Sequence, residues 1–360
     1  MNFKKYKEEQ NNEASRFFDR DWYEWQNPDW SNTYSDSYEH YMQLGKFEDR
    51  DPSPLVDIKR YRSTIGNLNL SDDLFCQINK GIRGRAFGVY ENYDDLTLSQ
   101  AEFYKKIFLY NHKYRSVRSN ARNLVIVQAG PGSLHNSWYD ESICEFDLLI
   151  NLYDPTNLST DKGDYIYSQI GTKFTAVSKL YFENQALFDS YDFIFLLDDD
   201  IYIGTPEINK LFEICDRKNV AGAQPSLSAN SHCIWDTFFN QGDTARKVNG
   251  IEIMMPVLSR DLMKLCAHHF QESVSGFGLD MLWSKIVKDK MPGRYMYVID
   301  EVKAVHDKPI DDAGGAYYEN MRRNLINPKS ELWNLVTKHY LDLEFQQITP
   351  DVSTAKSKRI

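Results

Sequence analysis

No apolar run in this 360-residue chain is longer than a β-strand, and the opening MNFKKYKEEQ holds no apolar stretch of the kind a secretory signal carries. A membrane-spanning helix needs about 20 apolar residues, so the chain is expected to be cytoplasmic, with at most peripheral contact at the inner face of the membrane. Cysteine is scarce: Cys76, Cys144, Cys215, Cys233 and Cys266 are widely spaced and show no CxxC pattern. That excludes a disulfide framework and a structural zinc ribbon, and fits a reduced compartment. Positive charge is also short, with 42 Lys and Arg against 52 Asp and Glu and a net charge of −10. A protein-wide nucleic-acid or anionic-membrane surface is thereby disfavoured, and only a local basic patch is left room. There is no P-loop, no GxGxxG fingerprint, no fixed-period repeat and no Ser/His/Asp motif.

What the chain has in quantity is aromatic residues, 14% with 23 Tyr and 7 Trp, on an otherwise globular background of 42% hydrophobic and 26% charged residues. Most of these rings fill a core by default, although such rings also stack on sugar faces. Residues 1–16 are polar and read as a frayed end. Residues 17–62 form a small aromatic-rich helical module, in which Tyr38, Tyr41, Met42 and Leu44 keep helical spacing. Gly45 stands where a helix C-cap belongs, and Asp51-Pro-Ser-Pro54 makes a turn. Residues 63–120 read as a helical connector, its clearest element a helix near Ser99–Arg118.

From residue 121 to 345 strands alternate with helices. Strands are expected at 123–130, 146–154, 191–203, 219–227, 250–259 and 295–306. Helices are expected at 172–188, 206–217, 260–270 and 279–288. This is the pattern of an α/β domain with a partly parallel sheet. Residues 346–360 read as a polar tail.

The most informative segment is FIFLLDDD, 193–200, five apolar residues followed by three acids. Ligands of α/β sheets bind at the carboxyl ends of strands. Strand alternation would let Asp198 and Asp200 converge while Asp199 points away. Two converging carboxylates repel unless a cation lies between them, and Mg²⁺ or Mn²⁺ completed by phosphate oxygens meets that need. The bland alternative is a solvated acidic turn. Further on, Ser275-Gly-Phe-Gly-Leu-Asp280 combines glycines that allow close backbone approach with an acid at a helix start, where Asp also serves as a plain cap. His306 ends the last strand, and on its own is an ordinary hydrogen-bonding residue.

Taken in order, FLLDDDIYI, AGAQPSLS, GIEIMMPVLSRDL, SGFGLD and AVHDKPI resemble the GT-A glycosyltransferases, and more closely a bacterial group of uncharacterised GT-A-like proteins. That likeness covers about residues 121–310. Separately, FFDRDWYEWQNPDW with HYMQLGKFEDRDPSPLVD, about residues 17–61, resembles a short module of bacterial polysaccharide-assembly glycosyltransferases.

The resemblance implies a GT-A-like fold: a Rossmann-like, nucleotide-sugar-binding mixed sheet flanked by helices. It implies a hexosyltransferase that moves a sugar from a nucleotide-sugar donor, a UDP-sugar first among them. The acceptor is a hydroxyl of a growing bacterial surface glycan such as O-antigen or capsule, free or lipid-linked, with other polysaccharide-assembly proteins as partners. Asp198 and Asp200 match the Asp-x-Asp metal motif and His306 the histidine that completes the metal shell. Asp280 matches the general base of inverting enzymes. Ala129, Gly130 and Asp154 sit where the nucleoside is held, Asp199 lies within the motif, and Lys173 would suit pyrophosphate. Phe277 stands where Trp is commoner. Glu252 faces the acceptor or the sugar, or pairs with Arg260. A retaining enzyme, and a glycan-binding protein that kept the fold without turnover, stay open as alternatives. Phosphatases of the Asp-x-Asp-x-Thr type do not fit, because Ile201-Tyr-Ile203 separates the acids from Gly204-Thr205.

Overall fold

The computed structural model describes residues 17–65, 74–79, 81–107, 109–114, 121–153, 162–309 and 315–348. The chain divides into two compact units, Met1–Tyr104 with Asp311–Asn334, and Lys105–Ile310 with Leu335–Ile360.

The first unit opens with α1 (Arg20–Gln26) and α2 (Ser37–Gln43). Each starts at an aspartate, Asp19 and Asp36, whose carboxylate accepts a backbone N–H of the first turn at 3.0 Å. Trp22, Tyr23, Tyr41 and Tyr61 are buried, and the Tyr23 hydroxyl meets Nδ1 of His40 at 2.9 Å. Gly45 is not the helix cap expected. Leu44 holds that place, and Gly45 opens a 3₁₀ turn where a Cβ would run into the Tyr23 hydroxyl. Next come α3 (Ile58–Ile65), α4 (Leu74–Asn79) and α5 (Tyr93–Tyr104). The module at 17–62 shares hydrogen bonds with segments far along the chain: Ser330 donates to the Pro54 carbonyl and Arg60 to that of Arg322.

The second unit is a nine-stranded mixed sheet in the order β1-β4-β3-β2-β5-β8-β6-β9-β7. In chain order these are β1 (Leu109–Tyr114), β2 (Asn123–Ala129), β3 (Asp147–Leu152), β4 (Tyr165–Gln169), β5 (Phe193–Leu197), β6 (Gly222–Leu227), β7 (Arg246–Val248), β8 (Val257–Ser259) and β9 (Met296–Ala304). Between them run α6 (His135–Trp138), α7 (Lys173–Glu183), α8 (Gln185–Asp189), α9 (Thr205–Lys218), α10 (Arg260–Cys266) and α11 (Leu279–Lys290). After β9 come α12 (Gly315–Arg323) and α13 (Pro328–His339); α12 and the start of α13 belong to the first unit, and α13 from Leu335 to the second. Strands β4, β3, β2 and β5 pair in parallel, β8 enters antiparallel between β5 and β6, and β6 is parallel to β9. This is a mixed α/β sheet flanked by helices, the class that the alternation of strands and helices in the sequence implies. Every residue of β3 and β5 is buried, as strands covered on both faces must be.

Three expectations need correction. The helix near Ser99–Arg118 ends at Tyr104, and 109–114 is instead an edge strand paired antiparallel with β4, a strand the sequence reading did not anticipate. The segment 250–259 is a strand only from Val257. Before that, Pro256 has no N–H to give, and the Glu252 carboxylate accepts the Met254 N–H at 3.3 Å, folding the chain into a turn. The helix expected at 172–188 breaks at Asn184.

Candidate active site

Strand β5 stops at Leu197, so Asp198, Asp199 and Asp200 lie in the turn that follows and their directions are set by partners instead of by strand alternation. Asp198 is tied down from both ends: its N–H donates to the Met254 carbonyl at 2.9 Å, and Oδ1 accepts from Lys173 Nζ at 2.9 Å. Burial lifts its pKa, the Lys173 ammonium opposes that, and the neighbouring Asp200 charge adds to it. Asp199 turns to the loop after β2, where it accepts the Gly130 N–H at 3.1 Å. Burial raises it to about 6 against that hydrogen bond. Asp200 faces the end of β9, with Oδ2 at 3.8 Å from His306 Nε2 and 3.2 Å from Lys308 Nζ.

Lys173 is the first residue of α7, positioned by the capping box of Thr172 and Thr175. Its three ammonium hydrogens go to Asp198 and to the carbonyls of Ile253 and Met254 at 2.6 and 2.8 Å. In this arrangement its charge serves the acidic turn, and Lys308, which is 64% exposed, is the more accessible cation beside it.

A second group of acids sits next to the first. Asp280 is the second residue of α11, behind Gly276 and Gly278, which have φ of +88° and +85°. A side chain at Gly276 would press on the Phe174 ring, so the tight turn needs glycine in both respects. Gly278, and not Asp280, is the N-cap. Asp280 accepts the adjacent Met281 N–H at 2.9 Å and its own backbone N–H, makes no ion pair among the described residues, and is 7% exposed. Burial pushes its pKa up to about 7. Glu252 is half-buried in the turn before β8; burial first, then the charges of Asp280 and Asp198, raise it to about 8. Its backbone N–H is held by Gln224 Oε1 at 2.8 Å. Arg260 does not pair with Glu252: it binds Asp192 at 2.6 Å and the Tyr191 carbonyl at 2.8 Å. Cys233 lies near the same charge and is pushed up to about 12 by burial and then by Glu252, which removes it as a nucleophile.

The donors fit a divalent cation in kind. His306 Nδ1 lies 3.0 Å from the His232 carbonyl. That acceptor fixes the hydrogen on Nδ1 and leaves the Nε2 lone pair toward Asp200. Carboxylate oxygen with imidazole nitrogen suits Mn²⁺ or Mg²⁺. Asp198, Asp200 and His306 are nonetheless not drawn together into a closed set. Among the described residues, the group whose three ligand atoms all lie within 4.8 Å of one another is His269, Glu272 and His339, elsewhere in this unit.

Of the other residues singled out, Ala129 is buried at the end of β2, and Gly130 lies under the Tyr153 ring so closely that a Cβ would strike it. Asp154 is outside the described residues. Phe277 is half-buried at the turn. Glu252's closeness to both acid groups, the Gln224 support and Lys308 were not read from the sequence. A charged residue inside the apolar run IEIMMPV was the available signal for the first.

No protein-family model matches the chain, and no curated protein matches it. Among solved structures, A197 from STIV is similar at 12% identity, with 51% of this chain and 85% of that one covered and a TM-score of 0.32. S. aureus TarS residues 1–349 in complex with UDP is similar at 11% identity over 61% of this chain and 71% of that one, TM-score 0.33. Alignments this partial say nothing of activity. Among the described residues no helix is long and apolar enough to cross a membrane.

Proposed function

We propose that the second unit is a metal-dependent glycosyltransferase that moves a hexosyl group from a nucleotide-sugar, a UDP-sugar foremost, to a hydroxyl of a bacterial surface glycan with inversion. The observation that carries the reading is the meeting of two kinds of acid at the carboxyl end of β5. One kind is held by cations and N–H groups, and the other is buried without a cation. Asp200 and His306 would hold the cation, with Asp198 beside them, and the ion would offset charge on the departing nucleoside diphosphate. Lys173 keeps Asp198 fixed, and Lys308 can approach an anionic leaving group.

Asp280 is the residue to take the acceptor proton. A base works best with a pKa near the working pH, and burial has moved Asp280 from 3.8 to about 7. Glu252, at about 8, is protonated at neutral pH and can donate a hydrogen bond to a sugar hydroxyl. The first unit, with its aromatic core, is proposed to dock the acceptor or other assembly proteins.

The test is a thermal-shift panel of sugar nucleotides with and without Mn²⁺, followed by donor-hydrolysis and transfer assays. One sugar nucleotide should stabilise the protein only when metal is present. Asp200→Asn should lose that stabilisation while remaining folded. Absence of any sugar-nucleotide stabilisation in the wild type would reject the reading.

A further inference from the structure

His269, Glu272 and His339 lie outside the acidic site and have no part in the transfer chemistry. They come from two elements. The 3₁₀ segment Ala267–Glu272 carries the first two, and three-residue spacing on a 3₁₀ helix eclipses side chains, so His269 and Glu272 share one face. His339 is the last residue of α13. The Glu272 carboxylate bridges the two rings, Oε1 to His269 Nδ1 at 2.5 Å and Oε2 to His339 Nε2 at 2.9 Å. The rings stand nearly perpendicular, at 89° with centroids 5.5 Å apart.

From this arrangement we propose that His269, Glu272 and His339 form a zinc-binding site that clips the end of α13 to the segment leading into the Gly276–Asp280 turn. Two imidazole nitrogens and one carboxylate oxygen are a zinc donor set, with a fourth position left for water. Tetrahedral zinc with bonds of about 2.0–2.1 Å sets its ligand atoms roughly 3.3 Å apart. Glu272 Oε1 lies 2.5 Å from His269 Nδ1 and Oε2 lies 2.9 Å from His339 Nε2, and one ligand atom from each residue can be taken with all three within 4.8 Å of one another, so side-chain rotation alone has to bring them to that spacing. Each imidazole binds as its other tautomer, with the hydrogen on the far nitrogen. The side chains of His269, Glu272 and His339 are 16%, 20% and 20% exposed, open enough to admit an ion and a water. Lys338 competes for Glu272 at 2.5 Å, but at 55% exposure it can return to water when a divalent ion takes its place. Softer nitrogen donors favour zinc here over the Mg²⁺ or Mn²⁺ suited to Asp198 and Asp200. The inference does not depend on the transfer reaction.

The experiment uses the full chain stripped of metal and zinc alone as the probe, with bound metal measured by equilibrium dialysis. Asp200→Asn should retain one equivalent at micromolar zinc and wild type at least one, since the variant lacks only the other site. Glu272→Gln and His339→Asn should bind at least about tenfold more weakly, as losing a ligand costs no less than losing its support. Wild-type affinity in His339→Asn, loss of binding in Asp200→Asn, or no zinc bound by the wild type would each overturn the site. Should either ligand variant fail to fold, cobalt in the wild type decides. Intense visible bands of a four-coordinate ion support the site, and their absence overturns it.

Discussion

Two bidentate arginine–aspartate forks, one in each unit, have similar donor–acceptor distances and opposite settings. In the second unit Arg246 binds both oxygens of Asp300 at 2.8 and 3.0 Å, with the pair 1% and 0% exposed. Its remaining donors reach the carbonyls of Thr237 and Phe239, and Asp300 also accepts the Asp243 N–H. In the first unit Arg50 binds both oxygens of Asp29 at 2.7 and 2.8 Å, with 21% and 49% of the side chains exposed. The buried fork is complete and holds β7 to β9; the other sits in water. Asp280 belongs to neither class, being 7% exposed with no cation among the described residues. A buried charge with every partner in place belongs to the fold, whereas a buried acid without one is left to titrate, and titration is what a base needs.

The largest expected effect follows from that difference. Asp280→Asn keeps size and burial and removes the basic oxygen, so turnover should fall roughly 10²–10⁴-fold, or about 3–5 kcal/mol in the barrier. Donor affinity, measured by thermal shift, should stay close to wild type. In the wild type, kcat/KM should rise with pH through about 7, because the base acts ionised. Transfer at the wild-type rate by the Asn variant would remove Asp280 from the mechanism.

The buried fork should come next. Arg246→Met leaves Asp300 and two carbonyls without their donor, and a denaturation series should show about 3–5 kcal/mol lost. Activity measured well below the transition should persist, since Arg246 touches none of the acids of the site. If both fall together, the division between fold and site drawn above is wrong.

How far the sequence foretold these regions depends on how local each cause is. Strand β5 was legible as an uninterrupted apolar run, β2 and β3 as short apolar runs holding few polar residues, and β9 (MYVIDEVKA) as a run that turns to strand-like alternation, each announced by five or six neighbours. β1 was not: LYNHKY continues the helical stripe before it, and only pairing with β4, more than 50 residues on, makes it a strand. The turn before β8 hid in the same way, since IEIMMPV has strand composition and folds back because of Pro256 and one side-chain hydrogen bond. That Asp198 and Asp200 follow directly on β5 was legible, whereas the turn that sets their directions was not. Nor was the proximity of Glu252 to Asp280, because it is a product of tertiary packing. His339 meeting His269 lies further still beyond any local pattern, at 70 residues' separation within the chain.

A smaller effect sharpens the comparison through pH. Asp280 has a folded pKa of about 7 against 3.8, so between those values the folded state binds more protons than the unfolded one. Stability therefore declines as pH rises from about 4 to about 7, with the decline complete above 7. Glu252, raised to about 8, acts in the same direction. Asp280→Asn should flatten the curve and be the more stable protein at pH 8 by about 2–4 kcal/mol, the two converging near pH 4. Urea titrations at pH 4.5 and 8 measure it. A variant less stable than wild type at pH 8 would mean the carboxylate is held by something stronger than the N–H groups of Asp280 and Met281.

The smallest effect completes the comparison between the forks. Arg50→Met removes the same paired contact that Arg246→Met removes, along with a 2.8 Å bond to Glu48. Asp29, however, is 49% exposed and regains water when its partner goes. Its Coulomb gain was already screened, and the flexible arginine recovers rotamer freedom that the fork had withheld. The loss should be about 0–1 kcal/mol, and it should shrink further in 0.5 M salt, whereas the loss for Arg246→Met should not respond to salt. Equal losses for the two substitutions would show that fork geometry outweighs burial, and would undo the argument that assigns Asp280 its chemistry from the partners it lacks.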